Sequence, residues 1–139
     1  MARARRPASI RGFERLFYLG LAVAALNAWA LAANGDRPEV QPAVIWGELA
    51  ASTALNLLFL WLIAYRGSKI ARGIFIALVA VGMILTVADI PHALDFGALS
   101  LALTVVQNLL CAVEIVLLFR PDSRNWFAGI RPVDPEVFS

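Results

Sequence analysis

The chain has 139 residues, which is room for one domain. Hydrophobic residues make up 60% of it, charged residues only 16%, and the mean hydropathy is +0.74. A soluble domain of this size cannot hide so much apolar surface, because small domains keep a large fraction of their surface exposed. The same composition excludes disorder, and the single cysteine, Cys111, excludes a disulfide scaffold. The composition therefore predicts an integral membrane protein.

Four apolar segments follow one another along the chain. Each has about 18–23 residues, the length that a helix needs to cross a hydrocarbon core of about 30 Å. The connections between them are short and contain Gly or Pro, so consecutive helices should be antiparallel neighbours. We expect a single all-α domain, an up-down-up-down bundle of four transmembrane helices, with an N-terminal segment at 1–15 and an interfacial tail at 120–139. The predicted transmembrane helices are residues 16–33, 43–65, 70–88 and 97–119.

The distribution of positive charge predicts the orientation of the bundle. Of the 12 Lys and Arg residues, all but Arg37 lie on the side that holds both termini. This asymmetry places both termini in the cytoplasm, and it accounts for the net charge of +2 without a nucleic-acid partner. The basic and then apolar N-terminus also has features of a secretory signal peptide, but its length favours a retained helix.

Amide side chains lie near the middle of three predicted helices. At 1.5 Å per residue, Asn27 is about 16 Å, Asn56 about 13 Å and Gln107 about 18 Å from the cytoplasmic boundary. Asn108 directly follows Gln107 in the sequence. We interpret this layer as interhelical hydrogen bonding, with a polar pathway or a ligand site as the alternative.

Two carboxylates, Glu48 and Glu114, lie inside predicted transmembrane helices. Glu114 is about 7 Å from the cytoplasmic boundary and Glu48 about 7 Å from the opposite one, too far apart to act as a pair. For Glu114 we favour an ion pair with Arg120 or with an arginine of the loop at 66–72. The alternative is a carboxylate that handles protons or binds a substrate.

Enzyme and metal signatures are weak or missing. No Ser-His-Asp, HExxH, phosphate-loop or CxxC pattern occurs. Asp89, His92 and Asp95 are spaced to share one face of a helical turn and could hold a divalent metal, but Pro91 interrupts that turn. We therefore expect no enzymatic activity, no metal and no cofactor. A quinone, pigment or lipid held between helices is the weaker alternative.

Small residues recur every four positions along the first predicted helix and allow another helix to approach closely. This row suits packing within the bundle as well as a partner chain, and Gly73 and Ala77 repeat the pattern in the third helix. The row consists of Gly20, Ala24, Ala28 and Ala32.

Tryptophans lie where interfacial residues are expected. Trp29 and Trp46 fall near the outer boundary and Trp61 near the inner one. In the tail, Trp126 and its neighbour Phe127 should rest among lipid headgroups.

A recognisable arrangement covers residues 57–127. It consists of the basic loop Arg66-Gly67-Ser68-Lys69-Ile70-Ala71-Arg72, then Gly82, Val106-Gln107 and Leu117-Leu118-Phe119, and finally Trp126-Phe127. It resembles small bacterial four-helix inner-membrane proteins, although Ile70 stands where those proteins often have Trp. The resemblance implies the same topology and a bacterial inner membrane, and it adds no catalytic residue.

Our leading hypothesis is a non-enzymatic membrane protein that works through helix–helix contacts, as a homo-oligomer or as an accessory subunit of a larger membrane complex. The alternative is a small transporter or proton-linked carrier that uses Glu114, with Gln107 and Asn56 lining its path. A water-accessible cavity that reaches Glu114 would favour the carrier, and a solid core would favour the leading hypothesis.

Overall fold

A computed structural model describes residues 6–33, 41–88 and 97–129, and every element in these ranges is helical. The fold-class prediction of an all-helical chain is confirmed for them. The predicted loop at 89–96, with Asp89, His92 and Asp95, lies outside the described residues. The helices are α1 at Ala8–Ala33, α2 at Pro42–Leu60 with a π-helical turn at Trp61–Tyr65, α3 at Lys69–Ala88, α4 at Ala98–Phe119 and α5 at Pro121–Ala128.

The four longer helices have the length and apolarity to cross a membrane. α1 begins at Ala8, whereas the sequence predicted a start at residue 16. The reason is that the basic segment preceding residue 16 is itself amphipathic. Ile10 and Phe13 are fully buried there, whereas Arg11 and Arg15 are exposed. The helical period of this segment therefore carries apolar side chains into the bundle and basic side chains away from it.

The most extensive helix pair is formed by α1 and α4. Their contacts run in opposite directions along the two helices, so the pair is antiparallel. Gly12 in the first turns of α1 lies near Leu117, and Asn27 near the end of α1 bonds to Ser100. Between these points, the bare backbone of Gly20 lets α4 come close. Small residues at such a position allow two helix backbones to approach.

A compact apolar core fills one end of the bundle, which we call the α5 end. Ile10, Phe13, Ile63 and Leu118 have no or almost no exposed surface. The aromatic rings in it pack edge-to-face or tilted, with centroid distances of 5.5 Å for Phe13–Phe17 and 5.8 Å for Phe13–Phe75. Aromatic pairs at this spacing are favourable beyond the area they bury.

α2 reaches the core through its π-helical turn. The N–H of Arg66 donates to the carbonyl of Trp61 at 3.2 Å, which adds one residue to the last turn. Gly67 then adopts a φ of +60°, a left-handed conformation that suits glycine and ends the helix. A Cβ at Gly67 would also lie 3.3 Å from the indole nitrogen of Trp126.

α5 folds back onto the end of the bundle and differs from the interfacial tail that the sequence suggested. Phe127 is only 5% exposed and belongs to the core, whereas headgroup contact would leave it on the surface. Trp126 is half-buried, packs against the core and aims its indole N–H at the carbonyl of Ile63, 3.5 Å away. The reason is the sharp turn at Arg120–Pro121, which directs the apolar face of α5 toward α1 and the π-helical turn.

Polar contacts fasten α5 to the first turn of α1. The Asp122 carboxylate accepts the backbone N–H of Ser9 at 3.1 Å, and the Ser9 and Ser123 hydroxyls lie 2.6 Å apart. Ser123 also donates to the carbonyl of Leu117 at 2.7 Å. The N–H of Ser9 is one of the donors that an α-helix leaves without an internal partner, so Asp122 caps α1 from another helix.

We predict that Asp122→Ala destabilises the fold by at most about 1 kcal/mol, because the lost cap is largely solvated. Partial burial raises the pKa of Asp122, but the hydrogen bonds from Ser9 outweigh it and the pKa lies below its ordinary 3.8. The cap therefore stabilises the fold fully above the ordinary pKa and is lost as the pH falls through the lowered one. Thermal unfolding in mild detergent at pH 7 and pH 3 measures both effects. The exposed neighbour Asn125→Ala is the control, and an Asp122→Ala difference equal at both pH values would contradict the cap.

Candidate functional site

Glu114 is buried in the middle of the bundle. Its side chain is 3% exposed, on the face of α4 that meets α1. A Cβ built on Gly20 would lie 3.6 Å from Glu114 Oε1 and 3.2 Å from Gln107 Nε2. Gly20 therefore provides the space in which these two polar side chains lie side by side.

The predicted ion pair of Glu114 does not form among the described residues. The salt bridge found there joins Arg6 to Glu14 at 2.8 Å. The guanidinium of Arg66 stacks over the Trp61 ring, and that of Arg72 lies 4.6 Å from the Phe127 ring centroid. Long arginine side chains reach outward to the end of the bundle and stack on aromatic rings, so they do not turn back toward a carboxylate inside it.

The amide layer forms one hydrogen bond between helices. Ser100 of α4 donates to Asn27 of α1 at 2.9 Å, as the interpretation of interhelical bonding requires. Asn56 and Asn108 instead bond within their own helices, to the carbonyls four residues earlier, at 2.9 and 2.8 Å. For these two residues the interhelical interpretation is wrong, because the i−4 carbonyl is always within reach of an Asn side chain.

Gln107 carries an unmet hydrogen-bond acceptor. Its Nε2 group contacts the sulfur of Cys111 at 3.8 Å, within the same helix. Its Oε1 atom is fully buried and has no hydrogen-bond partner in the part of the chain that the structure describes. A buried polar atom without a partner is costly, and it commonly marks a site for water, an ion or a ligand.

A cavity of about 240 Å³ lies beside Glu114, and we call it the Glu114 cavity. All four long helices line it. Its polar wall includes Ser52 and Asn56 of α2 and Gln107 of α4, and its apolar wall includes Phe17 and Phe75. Glu114 and Cys111 are the titratable side chains among its described lining residues. The cavity brings the predicted site residues Glu114, Gln107 and Asn56 together.

A wider cavity of about 380 Å³ follows toward the end of the bundle at Ala33, and we call it the Glu48 cavity. Asn27, Asn108 and the exposed Glu48 are among the residues that line it. The two cavities are neighbours, because four residues line both of them. These are Ala24, Leu49, Ser52 and Gln107.

The Glu114 cavity is closed toward the α5 end. Phe17 and Phe75 line it on one side and belong to the aromatic core on the other, with ring centroids 6.0 Å apart. Beyond them, Glu14 accepts hydrogen bonds from Tyr65 at 2.6 Å and from Arg6 at 2.8 Å. Two neighbouring polar cavities thus lie between Glu48 and Glu114, and aromatic rings close the second of them toward the α5 end.

The predicted row of small residues serves packing and space inside the bundle. Gly20 is buried against α4, Ala28 is buried, and Ala24 lines both cavities. Ala32 is half-buried near the end of α1. The row therefore faces the bundle, whereas Gly73 and Ala77 of α3 are exposed.

Three of the four predicted interfacial tryptophans lie on the outer surface of the bundle. Trp29, Trp46 and Trp61 are each about half exposed, so their rings are available to lipid. Trp126 is the exception described above.

Sequence reasoning missed the aromatic end of the cavity and the cluster of Arg6, Glu14 and Tyr65. Helical periodicity places Phe17, Gly20 and Ala24 on one face of α1, but it does not say that Phe75 of α3 meets them. No group of three or more potential metal ligands occurs among the described residues. The site can therefore be described chemically as an unpaired carboxylate and an unmet amide oxygen beside apolar walls.

No protein-family model matches the sequence, and no curated protein or solved structure matches it either. Its class is therefore defined by the fold and the site alone. The chain is an all-helical protein whose four long helices are apolar enough to span a membrane and enclose polar cavities.

We predict that water reaches Cys111 through the two neighbouring cavities. In nanodiscs, a cationic methanethiosulfonate reagent should label Cys111 faster than an anionic one of similar size, because the Glu114 carboxylate attracts the cation. Mass spectrometry of the intact protein measures the labelling.

A matched control is Leu109→Cys in a Cys111→Ser background, since Leu109 is 63% exposed on the outer surface of the same helix. In a bilayer this surface faces lipid and should react slowly with charged reagents. Labelling at position 109 as fast as at Cys111 would contradict an aqueous cavity.

Proposed function

We propose that this chain is an integral protein of a bacterial inner membrane, crossing it four times in an up-down-up-down bundle with both termini in the cytoplasm. Four helices of sufficient length and apolarity support the crossing. The grouping of Arg66, Lys69 and Arg72 near the α5 end supports the orientation, since positive residues collect on the cytoplasmic side.

Within that membrane the protein acts as a small proton-linked carrier, with Glu114 as the group that binds the proton or the solute. The observation that carries this function is the buried, unpaired Glu114 at the closed end of a polar cavity. A carboxylate at such depth is costly unless a proton or a cation neutralises it. Exchange of one for the other is the elementary step of proton-linked transport.

The geometry favours this carrier over a purely structural role for the polar residues. A structural carboxylate would be paired, and structural amides would bond across helices, but Glu114 is unpaired and Asn56 bonds within α2. Nothing in this function requires enzymatic chemistry or a cofactor. At about 240 Å³ the Glu114 cavity is smaller than the 300–1,000 Å³ typical of drug-sized ligands, so it suits a small solute better than a quinone or a pigment.

We predict that Glu114→Gln abolishes transport. Proteoliposomes loaded with a pH-sensitive dye would be challenged with gradients of small amines, amino acids, carboxylates and sugars. The wild type should move protons with at least one class of solute, and Glu114→Gln should fall to the level of protein-free vesicles, because an amide cannot exchange a proton.

Asn125→Ala is the control, since Asn125 is exposed on α5 and lines neither cavity, and this variant should keep the wild-type activity. Wild-type vesicles that respond to no solute class, or Glu114→Gln vesicles that respond like the wild type, would refute the carrier.

A second function, action through helix contacts with a second copy or with a membrane complex, is favoured by α3. Gly73 has nothing within 4 Å of a Cβ built on it, and Ala77, four residues later, is exposed. Ile70 is 77% and Ile84 69% exposed on the same helix. A small-xxx-small pair on an outer helix face is a common way for transmembrane helices to associate.

We predict that, where the chain associates through α3, Gly73→Leu converts the particle seen in mild detergent into a monomer. A leucine side chain prevents close approach of a second helix backbone. Size-exclusion chromatography with light scattering measures the change. Gly47→Leu on α2, an equally open glycine, should leave the particle unaltered. A monomeric wild type without any co-purifying protein would exclude this second function.

A further inference from the structure

The chemistry of the Glu114 cavity narrows the class of solute, and this inference rests on the proposed carrier function. Two groups in the cavity have unmet interactions, and both are acceptors. Among the described residues, the Glu114 carboxylate has no ion-pair partner and the buried Oε1 of Gln107 has no donor. The side-chain N–H donor of Asn56, which also lines the cavity, is already bonded to Ser52. A solute that satisfies this site must bring donors and a positive charge.

The walls of the cavity favour a solute with a carbon body over a bare metal ion. Phe17, Leu21, Phe75 and Val79 form its apolar side. Calcium takes six to eight oxygen ligands and magnesium a near-ideal octahedron, often with several carboxylates, whereas Glu114 is the one carboxylate among the described lining residues of this cavity. Aromatic rings beside a carboxylate instead suit an organic cation, because a ring face attracts positive charge.

The size and the acceptors limit the solute further. At roughly 30 Å³ for each water molecule of the liquid, a space of about 240 Å³ corresponds to about eight waters, so it suits a solute of about that many non-hydrogen atoms. A quaternary ammonium carries the charge but has no N–H to donate to Gln107. A primary or secondary ammonium can donate to both Glu114 and Gln107.

We propose that the Glu114 cavity binds a small primary or secondary organic ammonium ion, whose N–H groups bond to the Glu114 carboxylate and to Gln107 Oε1. The ammonium ion and the proton then compete for the same carboxylate. Cys111 is the other titratable group that lines the cavity, and the lining residues from α1, α2 and α3 are uncharged. Protonation of Glu114 therefore releases the ammonium ion, and this competition links movement of the proton to movement of the solute.

Protection of Cys111 from a neutral methanethiosulfonate reagent tests this binding in detergent-purified full-length protein. Propylammonium chloride should slow the labelling at fixed pH and ionic strength. Tetramethylammonium, propanol and sodium chloride at equal concentration should not. Equal protection by tetramethylammonium would show that the N–H groups are irrelevant. Equal protection by propanol would show that the positive charge is irrelevant. Protection by sodium alone would show a metal-ion site, so each of these outcomes overturns the proposal.

Substitutions inside and outside the Glu114 cavity test where the ammonium ion binds. Glu114→Gln should abolish the protection, and Gln107→Leu should raise the concentration for half-protection about tenfold, as expected for one lost hydrogen bond to a charged group. Asn125→Ala, at an exposed position of α5 that lines neither cavity, should behave as the wild type. Should a variant fail to fold, the comparison of propylammonium with tetramethylammonium on the wild type still decides.

Failure of this inference differs from failure of the carrier. When vesicles show Glu114-dependent proton movement with another solute class and propylammonium gives no protection, the ammonium site is wrong and the carrier stands. When propylammonium protects Cys111 but no solute drives proton movement, the site stands as a binding site and the carrier is wrong.

Discussion

The close approach of α1 and α4 at Gly20 is the constraint on which the rest of the structure depends. Because Gly20 has no side chain, Gln107 and Glu114 fit against the α1 backbone at the centre of the bundle. A Cβ at that position would already crowd Gln107 Nε2 at 3.2 Å. The glycine therefore achieves two things at once. It brings together the most extensive helix pair, and it leaves room for polar groups that no other helix satisfies.

The two ends of the bundle differ in how tightly they pack, because the side chains at each end differ in size and polarity. At the α5 end, Phe13, Ile63 and Leu118 pack into a closed core, and α5 is tied to α1 through Asp122 and Ser123. Toward Ala33, polar and small side chains fill less of the space between the helices and leave the two neighbouring cavities. A rigid end thus supports a loosely packed half. This is the arrangement that a binding site needs, since its groups must be held in place while space beside them stays free.

Much of this could be predicted from the sequence, and the remainder depended on helix rotation and side-chain reach. Apolar runs of the right length located all four long helices, and the polarity of Glu114 and Gln107 within one of these apolar runs marked them as candidate site residues. The arginine partner of Glu114 could not be excluded from the sequence, because the sequence does not show which way the long arginine side chains extend, and the structure places the Arg66 guanidinium over the Trp61 ring. Likewise, the Asn56 side chain can bond either to another helix or to the carbonyl four residues earlier in its own helix. Helical periodicity does not distinguish these two hydrogen bonds.

The closed α5 end has a consequence for any transport through this chain. A carrier must expose Glu114 to each side in turn, and in the present arrangement the rings of Phe17 and Phe75 lie between the Glu114 cavity and the α5 end. Passage to the other side requires that Phe75 part from Phe17. Phe75 packs against Phe13, Phe17 and Phe59, but its helix α3 has the fewest contacts with the other long helices, so a movement of α3 as a unit would carry Phe75 away from Phe17. Opening at α3 would leave the α1–α4 pair and its Gly20 contact intact. The carboxylate could then stay fixed on a rigid pair of helices while the wall beside it moves.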